Sequence, residues 1–235
     1  MSATATQSIF QAAQTGKLET VRAILTKTPA AVTAANTDGW TPLHLAAWNG
    51  HKAVAALLIE KGAKVNTADN DNRTPLHAAA RNGHKAVVAL LLENGANVTA
   101  ANNLGVTPLH LAAANGHKAV AALLIEKGAK VNTADNDNRT PLHLAAWNGH
   151  KEVTALLLEN GANVTAANNL GVTPLHIAAW YGHKEVVCFI KQAVDTRREA
   201  AQEKIRQAIT TLEGAQLTDE QKAALAVLKK AVQEL

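Results

Sequence analysis

The chain has 235 residues, and 47% of them are hydrophobic, which is ample apolar material for a buried core. Aromatic residues make up only 3%, so Ala, Leu and Val must fill the interior. The net charge is +4, but no run of five or more basic residues appears, and five of the lysines recur with the repeat, each just after Gly-His. Nucleic-acid-binding proteins usually concentrate Lys and Arg on one face, so we expect no nucleic-acid partner.

The first predicted elements are two short helices between residues 8 and 32. Residues 10–16 form an apolar segment that ends at a glycine, and Val21, Ile24 and Leu25 follow at helical spacing. The N-terminal residues show no basic segment followed by an apolar one, so we expect no secretory signal. No apolar run reaches the ~18 residues of a membrane span, so we expect no membrane partner.

Beyond residue 36 the sequence repeats with a fixed period. The string Thr-Pro-Leu-His begins at residues 41, 74, 107, 140 and 173, a spacing of 33 residues each time. Residues 41–106 and 107–172 are nearly identical 66-residue copies that differ at five aligned pairs of positions. A short fixed period indicates a solenoid, in which each unit buries its apolar face against its neighbours. Such a chain presents an extended surface and usually has no active-site pocket.

One unit, residues 140–172, predicts two helices and a turn. Thr140 can cap a helix that Pro141 opens, and Gly149 can take the positive φ that ends it. A second apolar helix follows from His150, and the Asn-rich residues 162–172 predict a turn that projects towards the next unit. In two units Asn72 and Asn138 stand where a turn glycine is expected, which is tolerable because Asn enters the left-handed region readily.

The string Thr-Pro-Leu-His-Leu-Ala-Ala-x-x-Gly-His, followed by an apolar helix and Gly-Ala-x-Val, resembles the ankyrin repeat. The resemblance implies an all-α, ankyrin-repeat solenoid of helix-turn-helix units with projecting β-turns. We predict an array over residues 1–194, with a degenerate first repeat at 1–36 and five repeats starting near 37, 70, 103, 136 and 169. Terminal repeats of such arrays are often atypical.

The pattern changes after Val194, and residues 195–235 predict a helical hairpin. The stretch 195–213 is amphipathic, Gly214 breaks it, and Thr218 starts a capping box before apolar Leu225, Leu228, Val232 and Leu235. The hairpin is expected to cap the array, and pairing of two chains through it is the alternative. Cys188 lies in the apolar stretch 186–190, which predicts a buried, unreactive thiol. A single cysteine suits a reducing, cytoplasmic compartment.

No catalytic, metal or cofactor site is predicted. All ten histidines belong to the repeat and lie on separate helices, whereas zinc needs ligands that converge. The ankyrin resemblance implies instead that they hydrogen-bond within and between turns. The segment from Asp69 to Asn72 resembles the start of a calcium loop, but Thr74 and Ala80 stand where Gly and Glu are required. We expect that the chain is not an enzyme.

In ankyrin proteins partners usually contact the turn tips and the exposed side of the first helices, which line a concave face. Five of the seven aromatic residues fall at these positions, and Trp, Tyr and Arg are enriched among interface hot spots. Packing of these tryptophans against neighbouring turns is the alternative. The partner-binding residues predicted in this way are Trp40, Trp48, Asp71, Arg73, Arg81, Leu104, Val106, Ala114, Asp137, Arg139, Trp147, Leu170, Val172, Trp180 and Tyr181.

The small side chain of Ala114 is expected to leave a shallow notch between larger neighbours, where a helix or an extended segment could bind. The predicted function is a monomeric, non-catalytic module that binds an unknown protein partner. By resemblance alone, intracellular bacteria often carry such proteins to engage host factors. A self-associating structural protein and a designed scaffold are the alternatives that the sequence leaves open.

Overall fold

The protein is described by a computed structural model that covers residues 3–216 and 218–233, with side chains for 9–216 and 218–230. Within these residues every regular element is helical. In chain order the elements are α1 (Ala3–Gln14), α2 (Leu18–Lys27), a 3₁₀ helix (Pro29–Thr33), α3 (Pro42–Trp48), α4 (Lys52–Glu60), α5 (Pro75–Arg81), α6 (Lys85–Glu93), α7 (Pro108–Ala114), α8 (Lys118–Glu126), α9 (Pro141–Trp147), α10 (Lys151–Glu159), α11 (Pro174–Trp180), α12 (Lys184–Glu213) and α13 (Asp219–Gln233). The all-helical solenoid expected from the sequence is confirmed.

Each Thr-Pro-Leu-His string starts a helix in the way that its residues predict. The threonine is the N-cap in extended conformation, and the proline is the first helical residue, where its missing N–H is not needed. The histidine completes the cap: the Nδ1 atom of His44 accepts a hydrogen bond from the Thr41 backbone N–H at 3.1 Å. The repeated string is therefore a helix-start signal that works the same way in five units.

The array, residues 3–189, consists of two layers of helices. The first helices α1, α3, α5, α7, α9 and α11 pack against one another in series, and α2, α4, α6, α8 and α10 form the second layer. Between the layers lies a continuous apolar core that contains one buried leucine from each of four first helices: Leu43, Leu76, Leu109 and Leu142. Burying one such side chain contributes about 1.5–3 kcal/mol. Buried alanine pairs such as Ala79-Ala80 keep these helices close together.

The helix that follows the last Thr-Pro-Leu-His unit does not end near Val194, where we expected the array to stop. It runs without interruption from Lys184 to Glu213, since no Gly or Pro lies between these residues to end it. By its contacts the chain divides earlier, into Met1–Phe189 and Ile190–Leu235. The second half of α12 and the separate helix α13 provide the two helical stretches of the predicted hairpin.

The start of α13 agrees with the predicted capping box. Thr218 donates its N–H to the side chain of Gln221 at 2.9 Å, and the Gln221 N–H returns a bond to the Thr218 hydroxyl. Of the predicted apolar face, Leu225 is half-buried and Leu228 is exposed. Val232 and Leu235 lie outside the described side chains. Within the described residues, no helix is both long and apolar enough to cross a bilayer.

The prediction that Cys188 is buried is wrong, because its thiol is exposed. The sequence stretch 186–190 is apolar throughout, and it forms part of α12. In a helix, positions four apart share a face, so Val186 and Ile190 are both buried while the residue midway between them points away. The apolar stretch therefore includes a cysteine on the solvent-exposed side of α12.

Candidate functional site

The turns that precede the first helices lie in a row and are joined by hydrogen bonds between backbone groups. Asn70 donates its N–H to the Asp38 carbonyl at 3.1 Å, and each following turn repeats the bond one repeat further along. The side-chain amide of Asn70 adds a second bond, to the Thr37 carbonyl at 2.9 Å. We call the surface made by these turns and the exposed side of the first helices the turn-side face. Its edge is a hydrogen-bonded ladder rather than a set of independent loops.

Within one turn, a buried carboxylate organises the backbone. The Oδ1 atom of Asp69 accepts hydrogen bonds from the N–H groups of Asp71 (2.9 Å) and Arg73 (2.8 Å), and its Oδ2 atom accepts the Arg73 Nε–H at 2.7 Å. Burial by itself raises the pKa of Asp69, but these bonds together outweigh it and hold the pKa below its ordinary value. Asn72 takes a φ of 61°, as its sequence position predicts. Both oxygens of Asp69 therefore already accept hydrogen bonds within the turn.

The Gly-His histidines fix the last residue of each first helix from α1 to α9. His84 donates its Nε2–H to the Trp48 carbonyl at 2.8 Å, and His117 donates to the Arg81 carbonyl at 2.9 Å. Gly83 allows this approach, since a Cβ atom on it would lie 2.6 Å from the His117 ring. These carbonyls come from the surface positions that the sequence predicts to bind a partner. The positions held by the histidine of the following repeat are Trp48, Arg81, Ala114 and Trp147.

The Thr-Pro-Leu-His histidines join each helix to the next turn. His44 donates its Nε2–H to the Arg73 carbonyl at 3.1 Å, and His77 bonds the Val106 carbonyl in the same way. Burial lowers the pKa of both rings, that of His77 to about 4, so they are neutral near pH 7. The expected structural role of the repeat histidines is confirmed at these positions. The described part of the chain contains no group of three or more His, Cys, Asp or Glu side chains placed to hold a metal ion.

Two tryptophans and two arginines pack together near the N-terminal end of the turn-side face. The rings of Trp40 and Trp48 lie 5.5 Å apart between centroids. The guanidinium carbon of Arg73 lies 5.8 Å from the Trp40 ring, and that of Arg81 lies 5.7 Å from the Trp48 ring. Stacking of a guanidinium on an aromatic ring is favourable and restricts the motion of both side chains. We call these four residues the aromatic-basic cluster.

The aromatic-basic cluster forms one side of a groove of about 540 Å³ that crosses three consecutive repeats. Seven of the fifteen predicted partner-binding residues line it. The lining residues are Trp40, His44, Trp48, Asp71, Arg73, Thr74, His77, Ala78, Arg81, Asn102, Asn103, Leu104, Val106 and Leu111. The structure therefore brings the predicted residues of the second, third and fourth repeats, apart from Ala114, together at one site.

Ala78 lines this groove and was not among the predicted residues. The same position of the other units carries a larger side chain: Leu45, Leu111, Leu144 and Ile177. Where those residues place a branched side chain, Ala78 places a methyl group, and the difference leaves room for the groove. The sequence does mark this position, because Ala78 and Leu144 form one of the five mismatched pairs between the two 66-residue copies. The notch expected at Ala114 is not part of this groove, which lies one repeat earlier.

The predicted residues further along the array are arranged differently. The rings of Trp147 and Tyr181 lie 5.0 Å apart, and Trp180 is 83% exposed. Leu170, at a turn tip, is 84% exposed. Arg139 pairs with Asp135 and with the predicted residue Asp137, both at 2.9 Å, which repeats the geometry of the turn at Arg73. Val172 is half-buried and accepts the bond from His143 at 3.2 Å.

The four tryptophans fall into two groups by exposure. Trp40 and Trp48 are half-buried against their neighbours, as in the packing alternative, and they also line the groove. Trp147 and Trp180 present open apolar surface. Exposed apolar side chains that lie close together on a soluble surface often mark interaction sites.

Comparison with known families agrees with the geometry. The family described as "Ankyrin repeats (3 copies)" matches residues 9–102, 65–135, 98–168 and 132–199. These matches cover most of the chain, and the chain belongs to the ankyrin-repeat family. Ankyrin arrays are generally protein–protein interaction modules and are typically non-catalytic. No curated protein matches the sequence.

Proposed function

We propose that the protein is a non-catalytic module that binds a protein partner through the turn-side face. The observation that carries this proposal is the joint placement of Trp40, Trp48, Arg81 and the turn residues around one groove. Aromatic and arginine side chains contribute most of the binding energy in many interfaces. Here they sit on a backbone that hydrogen bonds hold in place, so little conformational entropy is lost on binding.

The exposed residues of the later repeats extend this surface. Trp147, Trp180 and Leu170 are unprotected apolar groups, and a partner long enough to reach them would remove them from water. Each fully buried large apolar side chain would then contribute about 1.5–3 kcal/mol. A partner that used both regions would gain affinity from each, which favours an elongated binding segment or a large flat domain over a small ligand.

Affinity capture from cell lysate, followed by mass spectrometry, tests the proposal. The intact chain is compared with a variant in which Trp48, Arg81, Trp147 and Trp180 are all replaced by Ala, and circular dichroism checks that the variant is folded. The matched control replaces by Ala the exposed lysine that starts the second helix of the same four repeats: Lys52, Lys85, Lys151 and Lys184. We expect partners that the intact chain and the lysine control retain and that the turn-side variant loses.

Retention of the same partners by the folded turn-side variant would contradict the proposal. Capture of the chain by itself would favour the second candidate, self-association through residues 195–235. The observation behind that candidate is exposed apolar surface on α13, where Val227 is 71% and Leu228 41% exposed. In that case residues 195–235 of two chains would pair, and the repeat array would act as a spacer.

A further inference from the structure

The positive charges in the groove are not equally neutralised by carboxylates, and this difference indicates which ligands the groove can bind. Two arginines line the groove, but they differ in their partners. Arg73 is bonded to the carboxylates of Asp69 (2.7 Å) and Asp71 (3.0 Å). Among the described residues, Arg81 has no carboxylate partner, and its guanidinium stacks on Trp48 instead. One cationic group in the groove is thus available to a ligand.

Arg81 is also well prepared to bind a carboxylate. Stacking on Trp48 limits its rotamers, and His117 fixes its carbonyl at 2.9 Å, so both ends of the residue are held. A guanidinium binds a carboxylate through two parallel hydrogen bonds, and this geometry is stronger than a neutral pair. Because much of the ordering is complete before binding, less free energy is lost when the ligand arrives.

The rest of the groove is suited to apolar side chains. Ala78, Leu104, Val106 and Leu111 line it together with the Trp48 ring. Its two histidines, His44 and His77, are neutral near pH 7 and already donate to backbone carbonyls, so they add no charge. A volume of about 540 Å³ is enough for a few side chains and too small for a folded domain.

We propose that the groove binds a short linear segment of the partner in which an acidic residue stands beside one or two aliphatic or aromatic residues. The acidic side chain pairs with Arg81, and the apolar side chains occupy the space that Ala78 leaves open. This inference rests on the proposed function, and it names the chemistry that the N-terminal half of the turn-side face recognises.

Selection from a library of random short peptides displayed on phage tests this inference. The intact chain should enrich peptides that carry Asp or Glu next to Leu, Ile, Val or Phe. Selection on the Arg81→Glu variant should enrich peptides with Lys or Arg in place of the Asp or Glu. Selection on the Ala78→Leu variant should enrich neither the acidic nor the basic motif. Leucine is accommodated at the equivalent positions 45, 111 and 144, so Ala78→Leu is expected to fold normally. A synthetic copy of the selected acidic peptide should bind Arg81→Glu about tenfold more weakly, or worse, than the intact chain.

Lys85→Glu is the matched control, because it makes the same change of charge in the same repeat at an exposed residue outside the groove. It should keep the acidic motif and its affinity. An unchanged motif on Arg81→Glu, full binding by Ala78→Leu, or no enrichment on the intact chain would each overturn the inference. The lysate experiment is independent of this result: partners lost by the turn-side variant, with no acidic motif selected, would leave the proposed function standing and the groove assignment refuted.

Discussion

The free energy of unfolding of this protein should fall steeply as the pH is lowered from 6.5 towards 4. The cause is a set of buried histidines at the Thr-Pro-Leu-His positions, namely His44, His77, His110 and His143. Burial lowers the pKa of each below the ordinary value of 6.5, and that of His77 to about 4. Asp69 favours the charged form of His77, but less than burial opposes it.

The sign of the effect follows from proton binding. Well above pH 6.5 these rings are neutral in both states, so they give no pH dependence. Below pH 6.5 the unfolded chain binds protons that the folded chain still excludes, and stability falls until the folded pKa is reached. Each ring contributes at most about 1.4 kcal/mol per pH unit. While all four rings bind protons only in the unfolded chain, together they lower the free energy of unfolding by at most about 6 kcal/mol per pH unit, which is large beside the total stability of a typical domain, about 5–15 kcal/mol.

Urea unfolding followed by circular dichroism, repeated at several pH values between 6.5 and 4, measures this dependence. The His77→Gln variant should be less stable near neutral pH and should show a shallower pH dependence, since one titrating ring has gone. His176→Gln is the control, because His176 stands at the same motif position but is exposed. A stability that is flat over this range, or a slope that His77→Gln leaves unchanged, would refute the prediction. The Asp69 carboxylate loses its contribution to the free energy of unfolding only below its ordinary pKa of 3.8. Its titration therefore does not obscure the histidine effect between pH 6.5 and 4.

Replacing Thr154 by Val should raise the free energy of unfolding by about 1–3 kcal/mol. Thr154 is fully buried in α10, and its hydroxyl is the buried side-chain polar atom without a hydrogen-bond partner in the described part of the chain. An unpaired buried hydroxyl costs free energy because it has given up its bonds to water. Valine has nearly the same shape and removes that cost.

The near-duplicate sequence supplies the control for this prediction. Val88 occupies the equivalent position of the first copy and is also fully buried. Val88→Thr should therefore lower stability by a similar amount, and exchanging both residues should leave the total almost unchanged, since the sites lie in different repeats. Equal midpoints in urea for the parent chain and Thr154→Val would show that the hydroxyl carries no such cost.

The repeat architecture could be predicted from the sequence because its contacts are local and recur every 33 residues. The Thr cap, the opening proline and the helix-ending glycine each act within one turn of helix, so their effect can be inferred without the fold. The left-handed turn residues Asn72 and Asn138, with φ of 61° and 59°, follow from the same local chemistry. The candidate partner-binding positions could be predicted only as a face, from the resemblance to other ankyrin arrays.

The groove itself depends on side chains from three repeats at once, and periodicity does not show how these meet. Ala78 matters because Trp48, Arg81 and Leu111 surround the same space, and no sequence pattern gives those distances. Arg73 and Arg81 look alike in the sequence, but two aspartates neutralise only the first. The exposed position of Cys188 was missed for a related reason, since an apolar run does not say which side of a helix is covered.

Amide hydrogen exchange of the chain with and without its captured partner tests most directly whether the turn-side face is the binding surface. We expect added protection in the turns at 70–73 and 102–106 and at the C-terminal ends of α3 and α5, with α13 unchanged. Protection confined to α13, or to the second layer of helices, would contradict the account and would assign binding to a different surface of the protein.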